Sequence, residues 1–305
     1  MTAAGFAPLA IGLLLGGCAA RIAPLPPPAA AALPGPAMLG LDDPAPDSKR
    51  WTYGSGEAAA ASIQAWRALA DFAIARAAEK PAASVAMGLP DVAGGIATAP
   101  CAGKPTAVVL DADETALLNV GYEYWQTRGN PGGEDVFERW AETGAGQTRP
   151  VPGAVVGIGR LREAGIAVVF NSNRPASTAP GTIRAIAAAG LGTAVHQQTL
   201  FLIGDGPLGA NKDGRRKLIS DRFCVVALGG DNLGDFAYAL NDPSQTVQER
   251  RQRAARGQVA GLWGNGWFMI PNAAYGAWQK GTVGEVFPPD VRWEPGAPAA
   301  KDARR

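Results

Sequence analysis

From residue 106 onward, short continuous runs of β-branched and large apolar residues alternate with longer stretches in which apolar residues return every three or four positions. The short runs are TAVVL at 106–110, IAVVF at 166–170, LFLI at 200–203 and FCVVAL at 223–228. A run that is apolar at every position suits a strand covered on both faces, the situation of a parallel sheet. The segments 155–164, 180–189 and 211–221 carry the helical period, and Gly165 and Gly190 follow the first two as stop signals. Ahead of the first strand, the alanine-rich stretch 55–80 places Ile63, Trp66, Leu69, Phe72 and Ile74 near helical spacing. The pattern predicts an α/β fold: a mostly parallel sheet flanked by helices, with an N-terminal helical segment. In such a sheet the functional residues sit just past the C-terminal ends of the strands.

The two ends do not share this pattern. Residues 9–17 (LAIGLLLGG) form an apolar run too short to span a bilayer, ending in small residues before Cys18. This reads as a bacterial lipoprotein signal over 1–18, with Cys18 as the acylated residue, although no Lys or Arg precedes the run. Residues 19–50 are rich in Ala and Pro and read as a semi-rigid linker, since proline opposes both helix and central strand. The folded domain is expected over 51–290, and 291–305 reads as a disordered polar tail.

Composition narrows the chemistry. In 305 residues, 28 basic against 27 acidic side chains leave no electrostatic footprint for a nucleic-acid polymer. A single histidine, His196, excludes histidine-rich zinc sites and catalytic histidine pairs; it lies in a polar stretch with no evident partner. Carboxylates, hydroxyls and lysines must therefore do the work.

Such groups occur at the predicted strand ends. Asp111 and Asp113 in LDADET follow the first strand, where one carboxylate can act as nucleophile and the other as general acid or base. Ser172 and Asn173 in FNSNR follow the second and offer donors to a phosphoryl oxygen. Lys212 opens the helix after the third. Asp231 and Asp235 in GDNLGDF follow the fourth, as oxygen ligands suited to a hard cation. Taken singly, each has an ordinary explanation as a cap, a turn or a solvated face. A glycine pattern at 153–159 is not a dinucleotide loop, because no strand precedes it.

The four segments in this order resemble the haloacid dehalogenase (HAD) phosphohydrolases, and more closely their class C, lipoprotein e type, acid phosphatases and 5′-nucleotidases. RPVPGAV at 149–155 and IPNAAYGAW at 270–278 extend the resemblance from about Trp51 to Trp278; Leu118 before Asn119 departs from the family's Asp-Asn pair. The resemblance implies a HAD-like Rossmannoid sheet with a small cap inserted at about 116–150. It implies hydrolysis of phosphomonoesters through an aspartyl-phosphate, with Asp111 as nucleophile and Asp113 as acid and base. Mg²⁺ would be held by Asp111, the Asp113 carbonyl, Asp231 and Asp235, and Ser172, Asn173 and Lys212 would bind phosphate. Lys217 is the competing lysine, but Lys212 keeps the family spacing to Arg215. Tyr122, Trp140 and Tyr275 are candidates for the organic part of the substrate. A lipid-anchored enzyme of the outer membrane, facing the periplasm, is the implied setting. A narrower 5′-nucleotidase, a phosphotransferase and a non-catalytic phosphate-ester binder are the alternatives.

The resemblance also bears on Cys101 and Cys224. If the first and fourth strands are neighbours with Asp111 and Asp231 level, Lys104 falls beside Cys224. Cys101 then lies about 10 Å lower along a straight strand, too far for a bridge. Two unpaired thiols are the expectation, unless the chain turns at 101–103.

Overall fold

The computed structural model describes residues 38–89 and 97–293, with Met1 and Pro295. The expected signal from residue 2 to Cys18, and residues 19–37 of the Ala/Pro-rich stretch, lie outside them. Helix α1 (Asp47–Gly54) begins inside the segment read as linker, because the prolines stop there. The Pro46 carbonyl accepts the Lys49 and Arg50 amides, so the helix starts where the last proline ends. After Ser55, whose side chain accepts the Ala58 amide as a cap, α2 (Gly56–Ala78) buries Trp66, Leu69, Ala70 and Ala73 along one stripe.

The core is a five-stranded parallel sheet, consistent with the expected α/β class. Its strands are β1 (Thr106–Leu110), β4 (Ala167–Pro175), β5 (Leu200–Ile203), β6 (Cys224–Gly230) and β7 (Trp267–Met269), in the order β5-β4-β1-β6-β7. Alternate residues of β1 and β4 serve opposite faces, while in β6 the neighbours Val226 and Ala227 both join the α2 side. Val108, Leu110, Val168, Phe170 and Val226 join the α2 side, while Ala107, Val109, Val169 and Val225 join Ile219, Phe236 and Trp267 on the other. Helices α5 (Ala154–Glu163), α6 (Ala179–Ala188) and α7 (Lys212–Arg222) fall within a residue or so of the periodic segments, and α8 (Val247–Ala255) lies between β6 and β7. β7 was not expected. Its three residues carry too little pattern to read as a strand.

Residues 116–150 fold as an insertion: the antiparallel pair β2 (Leu117–Leu118) and β3 (Arg149–Pro150) encloses α3 (Val120–Thr127) and α4 (Glu134–Thr143). A Cβ on Gly181 of α6 would lie 2.3 Å from the Ala141 carbonyl oxygen, so only glycine lets α6 approach α4 this closely. Arg184 adds an ion pair to Glu142.

The register of β1 decides the site. Leu110 is level with Phe170 of β4 and Gly229 of β6, which brings the ends of all three central strands together. The structure corrects the expectation for the cysteines: Cys101 and Cys224 form a disulfide, with Cα atoms 4.6 Å apart. Leu110 pairs with Gly229, which sets Asp111 level with Gly230 and not Asp231, and a shift between Ala107 and Val108 inserts an extra residue in β6; together these put Thr106 rather than Lys104 level with Cys224. Cys101 reaches it because the chain does not continue the strand. The Lys104 amide bonds back to the Cys101 carbonyl at 2.7 Å, across Ala102 (φ 38°) and Gly103 (φ 77°).

The bridge joins residues 123 apart in sequence, closing a loop that contains β1 to β5. Replacing both cysteines by serine in the domain lacking Cys18 is expected to lower unfolding free energy by about 2–5 kcal/mol. Denaturant unfolding checks this, and a change within 0.5 kcal/mol would show that the bridge contributes nothing.

Candidate active site

At the end of β1 the chain turns sharply. Glu114 takes a left-handed conformation (φ 53°), and the Ala116 and Leu117 amides both bond the Ala112 carbonyl. A non-glycine residue held there is strained, and strain of this kind concentrates at functional sites. The turn sets Asp111 and Asp113 to different tasks.

Asp111 faces the end of β6. One carboxylate oxygen from each of Asp111, Asp231 and Asp235 lies within 4.8 Å of the others. Gly230 permits this, because a Cβ there would sit 2.3 Å from that of Asp235. Asp235 is drawn back by a reciprocal cap in which it accepts the Asn232 amide at 2.8 Å. Thr115 donates to Asp231 at 3.0 Å and to Asp111 at 3.2 Å, and Asn272 donates to Asp231 at 2.8 Å. Lys212, at the start of α7, donates to Asp111 and, at 2.7 Å, to Asp235. Burial lifts the Asp111 carboxyl to about 6; Lys212 pulls it down while Asp235 and Asp113 push it up. Burial, then Asp235 and Asp111, hold Asp231 well above the ordinary carboxylate range. Burial opposes the Lys212 charge, but the two aspartates outweigh it and raise the ammonium to about 12. This cluster carries more negative charge than its one lysine offsets. An all-oxygen donor set without thiolate or imidazole fits a hard divalent cation.

Asp113 turns the other way. Its Oδ1 accepts Arg174 Nε at 3.0 Å and Nη2 at 2.8 Å, and Asn119 Nδ2 at 2.9 Å; its Oδ2 accepts Ser172 at 3.2 Å. Burial would raise its pKa, but Arg174 and these donors bring it below the usual value. Arg174 and Asn119 are site residues that motif reading passed over. Asn119 is fully used: it donates to Asp113 and Glu114, and its oxygen accepts Trp140 Nε1 at 2.8 Å and Arg174 Nη2 at 2.9 Å. Behind it the buried Glu114 accepts Tyr53 at 3.0 Å, the Asn119 amide at 2.8 Å, and the Tyr275 hydroxyl. The motif supplied a hint for Arg174, the last letter of SNR; nothing local marked Asn119 as a hub.

Above these groups lies a cavity of about 590 Å³, floored by Asp111, Asp113, Lys212, Asp231 and Asp235. Of the residues expected to meet substrate, Tyr122, Asn173 and Tyr275 line it. Trp140 does not; its indole is spent on Asn119, and its ring lies where Cβ atoms on Gly121 and Gly144 would be. Ser172 is fully buried beneath Asp113 rather than in the cavity wall. Asn173 is oriented by Arg215, which also holds Asn171 and the Gly209 carbonyl. Lys217 is exposed and pairs with Asp221, leaving Lys212 as the lysine of the site. His196, expected to lack a partner, bonds the Asp205 carboxylate at 2.8 Å, away from the cavity.

Residues 68–278 match the family model of the HAD superfamily, subfamily IIIB (acid phosphatase). The chain is similar in fold to the class C acid phosphatase from Bacillus anthracis, at 22% identity and a TM-score of 0.59, covering 76% of this chain and 84% of that one. A second structure of the Bacillus anthracis class C acid phosphatase, with tungstate bound, gives the same identity and TM-score over 78% and 92% of the two chains.

The Glu114 network generates a pH prediction for the metal-free protein. Burial, then Asp113, raises this carboxyl from 4.5 to about 7 against the pull of Tyr275 and Asn119. The folded chain thus holds a proton that the unfolded chain releases near 4.5. The stabilising contribution is complete below that pH and is lost as pH rises through 7. Tyr275→Phe removes a donor to the carboxylate and is expected to move the midpoint higher. Carbon-13 titration of the glutamate carboxyls reads this directly, and a Glu114 midpoint near 4.5 would contradict it.

Proposed function

The chain belongs to the HAD superfamily, subfamily IIIB, of acid phosphatases, and is a phosphoric monoester hydrolase; from that premise we propose an aspartyl-phosphate mechanism supported by Mg²⁺. The observation that carries this reading is the convergence of Asp111, Asp231, Asp235 and Lys212 on the floor of one cavity. Asp111 attacks phosphorus through a carboxylate oxygen as the P–O bond to the alcohol breaks, and Asp113 gives its proton to the departing oxygen. Water then attacks phosphorus, Asp113 takes the proton back, and inorganic phosphate leaves a free Asp111. Lys212 lies against Asp111, where phosphoryl oxygens would come, and offsets their charge. Mg²⁺ held by Asp111, Asp231, Asp235 and the Asp113 carbonyl would supply positive charge against carboxylate–phosphate repulsion. The three-carboxylate donor set supports that choice over a softer metal.

The ion pair with Arg174 favours ionised Asp113, the form that activates water. The first step needs its proton, so lower pH should favour esters whose leaving group must be protonated. Ser172 would act by orienting Asp113, and Asn173 by reaching the phosphoryl oxygens. The aromatic rings of Tyr122, Phe137 and Tyr275 in the cavity wall favour, as a second reading, a narrower preference for nucleoside monophosphates. A lipid anchor at Cys18, with the domain facing the periplasm, agrees with the disulfide, which needs an oxidising compartment.

Phosphate release from nucleotide, sugar and aryl monophosphates, with and without chelator, tests the reading. EDTA is expected to abolish turnover and Mg²⁺ to restore it; chelator-resistant turnover would remove the metal. Asp113→Asn is expected to cost at least tenfold more on alkyl phosphates than on p-nitrophenyl phosphate. Equal losses would remove Asp113 as the acid.

A further inference from the structure

Glu123 has no part in the mechanism above, yet it lines the cavity and is only 3% exposed. It stands on α3 between Tyr122 and the turn carrying Gln126, which line the same wall. Its Oε2 accepts the Lys49 ammonium, which comes from α1 and also bonds the Ala274 carbonyl at 3.2 Å. Lys49 is not in the cavity wall, so the cation stands behind the carboxylate and not in front of it. Among the described residues no donor bonds Oε1. Oε1 is not one of the sealed, unpartnered polar atoms of the described residues, so the oxygen that Lys49 leaves open is accessible, and the cavity that Glu123 lines is where a donor can reach it. The pair is also costly to bury, and fixing a partner's identity is one use for such groups.

The charge pattern along the cavity is uneven. Asp111, Asp113, Lys212, Asp231 and Asp235 all belong to the phosphoryl end. Beyond them the wall is made of uncharged residues such as Gln126, Phe137, Tyr238 and Asn241, and among the described residues Glu123 is the one charged group there. We propose that Glu123 determines specificity: its Oε1 accepts a hydroxyl or amino donor from the organic part of a phosphomonoester and rejects an ester carrying a second anion. The substrate class is therefore monophosphates of polyols, sugars or nucleosides, and not phosphorylated acids or bisphosphates. Lys49 is a positioning residue that fixes the carboxylate from outside. It does so from a helix that lies ahead of the family match, which begins at residue 68.

This inference rests on the phosphatase reading, and a matched pair of esters separates the two. Glycerol 1-phosphate and 3-phosphoglycerate are similar in size, and the second adds a carboxylate. At neutral pH with Mg²⁺, wild type is expected to favour the first by at least tenfold in kcat/KM. In Glu123→Gln the ratio is expected to fall below threefold. Glu123→Asp, which keeps the charge but withdraws it, should give an intermediate ratio and serves if the glutamine variant does not fold, as judged by circular dichroism. Equal rates in wild type, or a ratio unchanged in the variants, would overturn the proposal while leaving the phosphatase reading intact. No release from either ester while a nucleoside monophosphate or p-nitrophenyl phosphate is hydrolysed would overturn this proposal alone; no release from any of the four would overturn that reading and this one with it.

Discussion

Four aspartates meet at the ends of two adjacent strands, three of them around a common point, and their mutual repulsion is the constraint to which the rest of the structure answers. Two buried cations divide that charge. Lys212 reaches Asp111 and Asp235 from the start of α7, and Arg174 reaches Asp113 from the end of β4. Because the cations come from different elements, the two aspartates of LDADET acquire opposite character: burial and neighbouring carboxylates raise Asp111, while Arg174 lowers Asp113. What Lys212 leaves unbalanced around Asp111, Asp231 and Asp235 is the demand that a divalent cation would meet.

The scaffold keeps this arrangement from relaxing. Asn119 uses every donor and acceptor of its amide to tie Asp113, Arg174, Glu114 and Trp140 together. Glu114 in turn gathers Tyr53 from α1 and Tyr275 from the segment after β7. Distant parts of the chain thus converge behind one carboxylate, and α1, although it precedes the family match, is built into the site. Such a network is valuable only when complete, because a partly satisfied buried polar group is costly.

Much of this could be read along the chain, and the reasons differ by element. The strands β1, β4, β5 and β6 were legible because burial on both faces leaves an unbroken apolar run. The meeting of Asp111, Asp113, Asp231 and Asp235 was legible because strand ends are where such a sheet places its chemistry, and Lys212 because it opens the helix after β5 at the spacing to Arg215 that the resemblance implies. β7 was too short to carry a pattern, and Trp140 looked like a cavity aromatic because sequence cannot tell which side of an insertion a ring faces. Asn119 and Glu114 owe their roles to partners 55 to 161 residues away, through Arg174 and Tyr275, which no local reading weighs. The disulfide hung on whether the chain turns at 101–103, which spacing alone leaves open; the turn at Ala102-Gly103 is what brings Cys101 to Cys224, against a register that would set them five residues apart.

The central claim is that Asp111 forms a bond to phosphorus while Asp113 only moves protons. Acid quenching during turnover, followed by borohydride reduction and peptide mass spectrometry, tests it most directly, since reduction of an acyl-phosphate converts aspartate to homoserine. The account predicts homoserine at position 111 and unmodified aspartate at 113. Homoserine at 113, or at neither position while turnover proceeds, would contradict it.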